Sequence, residues 1–290
     1  MPWYFYAFLS AILLSISSIV EKKVLHKVHS TSFSTSLAIL NFVFTLPFVF
    51  FIDFAGITKY SLSITFIVAL LAALSFLLVA KALRHMDISV VSPVLALNPG
   101  ASATAAFFIL GESLSAQNVW GIILMIMGSY VLIASVQDGI KKPIKHFLSS
   151  KYTVFLLLSI VFYAVTSAID RFLVADLSID PMAYLFFSQL FIATIFLTIS
   201  SGWNSGVRGV AEAMRVDGRE IVLISICTVA YRYFQLVALQ TAFVGLVSAI
   251  KRSSSLFSTI VGGELFHEDK ILPKTIASLI IIFGCVLVVL

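Results

Sequence analysis

Charged residues are scarce in this chain: Asp, Glu, Lys and Arg make up 11% of its 290 residues. Soluble domains carry about 25%, so a water-soluble fold is excluded. Cysteine is nearly absent. Cys227 and Cys285 both lie inside apolar runs, so no disulfide framework is implied and each reads as a small buried hydrophobe. No Walker motif is present, which leaves ATP-driven pumping by this chain unsupported. The five histidines stand near loops without metal-ligand spacing, and no Ser/His or Cys/His nucleophile arrangement appears. No metal, no cofactor and no enzyme chemistry is therefore expected.

What is present is apolar. Hydrophobic residues make up 60% of the chain, and its mean hydropathy is +1.07. Ten segments of spanning length can be read, at 3–25, 33–52, 61–83, 88–110, 117–135, 152–174, 181–200, 220–241, 244–265 and 271–290. Their apolar runs are continuous rather than alternating, which argues against a β-barrel. The first lacks a basic n-region and is followed by Glu21-Lys22-Lys23 rather than small cleavage-site residues, so it reads as a retained helix. The expected fold class is an all-α membrane protein with ten transmembrane helices, whose partner is the lipid bilayer.

The net charge of +5 is not a nucleic-acid signal. Fourteen of the nineteen Lys and Arg fall in loops after odd-numbered segments, and only Lys59 and Arg171 fall in the opposite set. The positive-inside rule then places both termini outside the cell membrane.

The sequence repeats itself. Shifting residues 74–133 by 156 brings Ala82-Leu83 onto Ala238-Leu239, Val91-Ser92 onto Val247-Ser248, Glu112 onto Glu268 and Gly128 onto Gly284 without a gap. Near the start the shift is 149, and Ser10, Glu21 and Lys22 meet Ser159, Asp170 and Arg171. Each half holds five segments, an odd number, so the second copy enters the membrane from the opposite side. The expected units are 1–135 and 152–290, joined by the basic, Gly- and Pro-containing linker 136–151.

Leu110-Gly111-Glu112 before an apolar helix with Gly128-Ser129-Tyr130, and Val247 to Phe257 before Phe266-His267-Glu268, carry a family likeness. The chain resembles the EamA-like family of the drug/metabolite transporter superfamily. That resemblance implies two inverted five-helix repeats, carriage of small metabolites, often outward, and a cavity lined by segments 1, 3, 4, 6, 8 and 9. It also implies cytoplasmic termini, against the charge count.

Arg232 and the pair Lys251-Arg252 are the informative charges. They lie in consecutive segments joined by a short turn, Arg232 ten residues before Ala242 and Arg252 nine after Phe243. At 1.5 Å per residue both reach ~14 Å from the turn, near the midplane of a ~30 Å core. A charge there costs roughly 2.5–3.5 kcal/mol, so it marks a site. Ser225, Thr228, Arg232 and Gln235 share one helical face, as do Ser248, Arg252, Ser255 and Thr259. Together with Asn98, at a Pro99 break in segment 4, the candidate substrate-binding set is Arg232, Gln235, Lys251, Arg252 and Ser255, shaped for a carboxylate or phosphate. The bland alternative pairs the arginines with backbone carbonyls or Glu264. Glu21 and Asp170 are candidate gating or proton-coupling carboxylates. Their bland reading pairs each with its neighbour, Lys22 or Arg171.

The leading expectation is a secondary transporter, exporting a small anionic or zwitterionic metabolite such as an amino acid. A lipid-intermediate flippase on the same fold is the alternative, and a membrane-embedded enzyme the weaker rival. A homodimer is compatible with the sequence.

Overall fold

A computed structural model describes residues 2–54, 56–95, 97–111, 115–136, 150–202, 206–252, 254–267 and 271–289. Among these residues there is helix and no strand. The helices are α1 (Trp3–Leu25), α2 (Ser30–Thr45), α3 (Lys59–His85), α4 (Ile88–Leu95), α5 (Asn98–Leu110), α6 (Ala116–Val136) and α7 (Lys151–Arg171). They continue with α8 (Pro181–Gly202), α9 (Gly206–Leu239), α10 (Val244–Arg252), α11 (Ser254–Phe257), α12 (Gly263–Leu265) and α13 (Ile271–Val289). Six stretches among the described residues are long and apolar enough to cross a membrane: Trp3–Leu25, Ser30–Phe50, Lys59–His85, Lys151–Asp176, Pro181–Ser201 and Arg208–Leu239. The protein is a multi-pass helical membrane protein.

Local signals fix several helix ends. Thr58 caps α3 through a reciprocal box with Ser61, satisfying two otherwise orphaned N–H groups. Gly111, at φ 68°, ends α5 in the left-handed region that a side chain disfavours. Pro99 lies in the first turn of α5, where its missing N–H costs no helical bond. The break in segment 88–110 therefore falls before Asn98, between α4 and α5, rather than at Asn98-Pro99-Gly100 itself. Segment 244–265 is likewise irregular, with a π turn over Ser258–Gly262 ahead of α12.

The eighth segment begins earlier than its apolar run. Residues 206–216 are helical too, but Arg208, Glu212 and Arg215 make them too polar to read as a span. The helix bends at Asp217, whose φ of −138° and ψ of 40° are not helical.

Pairing runs mainly between the two halves of the chain. The densest contacts join α6 to α13, α1 to α9 and α3 to α7, with α2 lying between α8 and α9. The α6–α13 contact depends on glycine. A Cβ at Gly284 would stand 2.7 Å from Gly121 O, and one at Gly128 would stand 2.7 Å from Ile281 Cγ1. Small residues of this kind let membrane helices approach closely.

Buried cations finish the helix ends. Lys22, 4% exposed, donates from Nζ to Leu83 O at 2.8 Å and to Met86 O at 2.6 Å. Arg171 donates to Ala242 O at 2.6 Å and stacks over Phe243 at 4.8 Å. Both satisfy carbonyls that have no further helical turn to bond.

Candidate functional site

Helices with apolar outer faces and hydroxyl- or amide-bearing inner faces border a central cavity that is partly open. Its wall draws on α1, α2, α3, α4, α5, α7, α8, α9, α10 and α11. The wall therefore includes the second and seventh segments as well as the six that the family resemblance implied. Ser34, Ala38 and Asn41 of α2 and Gln189 and Phe196 of α8 belong to it.

Five of the sequence-derived candidates line this cavity: Glu21, Asn98, Arg232, Gln235 and Lys251. Asp170 is fully buried behind Arg232, its Oδ2 3.6 Å from the guanidinium. The side chains of Arg252 and Ser255, also expected here, lie outside the described residues, as do Glu112, Glu268 and most of the 136–151 linker.

Arg232 stands on the face of α9 that also carries Thr228 and Gln235. Its partner is Asp170 of α7, whereas Glu264, the acid considered from sequence, is solvent- or lipid-exposed. Tyr184 of α8, 1% exposed, donates its hydroxyl to Asp170 Oδ1. Three helices thus converge on one carboxylate. A buried ion pair holds only when further hydrogen bonds satisfy it, and Tyr184 supplies one.

Lys251 projects from α10. Its Nζ donates to Gln235 Oε1 at 2.5 Å and lies 4.8 Å above the Tyr231 ring. Cation–π contact and the Gln235 amide orient the ammonium.

Glu21 sits in a different setting. Ser17, one turn back on α1, donates to Oε1 at 2.9 Å, and Ser17 Oγ is 3.5 Å from Thr228 Oγ1. The residues that stand where Tyr184 and Arg232 stand for Asp170 are apolar. Phe33 is the fourth residue of α2 as Tyr184 is of α8, and Phe76 aligns with Arg232 under the 156-residue shift. Those two rings pack on each other at 6.3 Å.

Three buried polar atoms of the wall have no hydrogen-bond partner among the described residues: Asn98 Nδ2, Gln189 Oε1 and Ser34 Oγ. Asn98 Oδ1 accepts from Ser102 at 2.7 Å, which fixes the amide with its donors toward the cavity. Sequence reasoning missed Ser34 and Tyr184, which lie in runs of hydroxyl and aromatic residues where nothing marks one position above its neighbours.

What this arrangement can do is bind. Acid, cations and amides face one another in a shared space, and no cluster of His, Cys, Asp and Glu suited to a metal exists among the described residues.

Comparison with known proteins agrees with this architecture. A crystal structure described only as "Crystal structure of protein" superposes with a TM-score of 0.67, covering 98% of this chain and 95% of that one at 14% identity. That likeness concerns the fold. No curated protein matches the sequence. The model of the EamA-like transporter family matches residues 1–134. That match spans a little under half of the chain, and the likeness it records is to a family of transporters.

Proposed function

We propose that this protein is a secondary transporter that carries a small anionic or zwitterionic metabolite, such as an amino acid, outward by alternating access. The observation that carries this reading is the cavity itself, which holds Glu21, Arg232 and Lys251 where charge is costly. Lys251 and the Asn98 amide receive the solute's carboxylate. Arg232, set against Asp170, stabilises one arrangement of α7, α8 and α9. Glu21 and Asp170 are the carboxylates at which gating or proton coupling would act.

The frame we propose for it is ten membrane helices in two inverted repeats, 1–135 and 152–290. One observation supports the repeat. Gly128 and Gly284, related by the same shift, both lie at the α6–α13 contact. The location is the cell membrane, with both termini outside by the charge count.

The test is counterflow. Liposomes holding the purified chain are loaded with an unlabelled amino acid and given the labelled one outside. Accumulation of chemically unchanged label, absent from empty liposomes, is expected. Conversion of the label, or no accumulation with any amino acid or organic acid, overturns the reading.

A further inference from the structure

We propose that Glu21 takes up and releases the coupling proton, one per transport cycle, while Asp170 stays ionised as a fixed counter-ion. This rests on the transporter reading above and narrows it to one of the two carboxylates.

The two acids are matched under the shift of 149, yet their settings differ. Asp170 is 0% exposed and does not line the cavity. Arg232 stands 3.6 Å from its Oδ2, and Tyr184 donates to its Oδ1. Neutralising this carboxylate would strand the buried guanidinium, at a cost of several kcal/mol. Asp170 therefore has neither a driving force nor an open route for proton exchange.

Glu21 does line the cavity. Among the described residues it forms no ion pair, and its hydrogen bond is the one that Ser17 donates at 2.9 Å. Phenylalanines, Phe33 and Phe76, stand where Asp170 has Tyr184 and Arg232.

Charged groups on the elements around α1 are engaged elsewhere. Lys22 bonds Leu83 O and Met86 O, Lys23 pairs with Glu220, and Lys27 pairs with Asp217. On α3, Arg84 donates to Val28 O at 2.9 Å, and Lys81 lies over the Phe155 ring. On α10, Lys251 bonds Gln235 and stands in the field of Asp170. The Arg252 side chain on α10 lies outside the described residues. His29, ahead of α2, bonds Thr31 at 2.9 Å. Helices α2 and α11 and the π turn carry no charged residue.

One hydroxyl does not offset the cost of holding a carboxylate away from water. Glu21 therefore closes in as the neutral acid and ionises where the open cavity admits water. Ser17 serves both forms, because a hydroxyl donates to the carboxylate and accepts from the acid. Water on one side gives the proton to a carboxylate oxygen, forming one O–H bond. Water on the other side takes it back, and no other bond changes.

The experiment has two arms, both on the purified full chain. Infrared difference spectra recorded as pH is raised should show a buried carboxyl losing its proton. Glu21→Gln should abolish that band, and Asp170→Asn combined with Arg232→Gln should keep it. Glu21→Asp, which retains an acid on a shorter arm, should shift the band and serves where Glu21→Gln fails to fold. In liposomes, pH-gradient-driven uptake of a labelled amino-acid mixture is divided by its uptake in counterflow. That ratio should fall about tenfold or more in Glu21→Gln and hold in the double variant. A band that survives Glu21→Gln, is unmoved by Glu21→Asp or disappears in the double variant overturns the assignment. So does an unchanged ratio in Glu21→Gln. No uptake by the wild type in either mode overturns the transporter reading instead, and the infrared band still decides which acid holds the proton.

Discussion

Lys22 and Arg171 make the same contact in the two halves of the chain. Lys22 donates to Met86 O and Arg171 to Ala242 O, each at 2.6 Å. The donors are related by the shift of 149 and the acceptors by the shift of 156. Each cation therefore leaves the acid beside it, Glu21 or Asp170, free to take other company, and holds a helix end instead.

That contact predicts matched losses. Lys22→Met and Arg171→Met each strip a cation's hydrogen bond from the matched, part-buried carbonyl, Met86 O or Ala242 O, at about 1.5–3 kcal/mol. Thermal melts of the two variants should fall by similar amounts. A loss confined to one of them would show that the contacts are not equivalent.

Arg232→Ala should be costlier, because it leaves Asp170 buried without its ion partner. About 3–5 kcal/mol is expected for breaking such a pair. Asp170→Asn combined with Arg232→Gln should recover much of this, since no charge is then stranded. A double variant no more stable than Arg232→Ala alone would mean the pair is not what holds these helices.

Gly284→Leu should disrupt assembly. Its Cβ alone would meet Gly121 O at 2.7 Å and Met125 Cγ at 2.8 Å. Overpacking of this kind costs about 1–3 kcal/mol or more. Gly218→Ala, whose Cβ meets only Met214 Cε at 3.6 Å, is the tolerated control. Yield of monodisperse protein separates the two.

Acid should weaken the loop between α1 and α2. Partial burial, and then the charges of Arg84, Lys81 and His85, hold the His29 imidazole below its ordinary range. The unfolded chain then binds a proton more readily than the folded one. Stability from this residue is full above about pH 6.5 and falls as pH drops from there through the folded value. Melting temperatures measured from about pH 8 down to about pH 5 should drop, and His29→Gln should flatten the slope.

Orientation can be checked directly. With both termini outside, an epitope placed before Met1 should be labelled on intact cells. Labelling only after permeabilisation would place the termini inside and leave the positive-inside count without force here.

The charge-bearing part of this site was legible because charge in an apolar run is rare. Arg232 and Lys251 announced themselves by depth, and Pro99 announced a break within a few residues of where it occurs. The partner of Arg232 was not legible. Asp170 lies on α7, and only the packing of α7, α8 and α9 brings it near, which no spacing along the chain records. The α2 wall was equally hidden. Ser30 to Ser36 is almost wholly hydroxyl-bearing and buried, and Thr35 and Ser36 spend their hydroxyls on carbonyls one turn back. Ser34, which faces the cavity, looks the same as its neighbours in sequence. The polar start of α9 escaped because its amphipathic pattern belongs to a surface helix, not to a span.

The glycine-seated joint of α6 and α13 contributes no side chain to the cavity wall among the described residues. The α6–α13 joint and the cavity wall are therefore written in separate parts of the chain. A lineage, or an engineer, can rewrite the residues around Glu21 and Lys251 to suit a new solute while the joint keeps the two halves assembled.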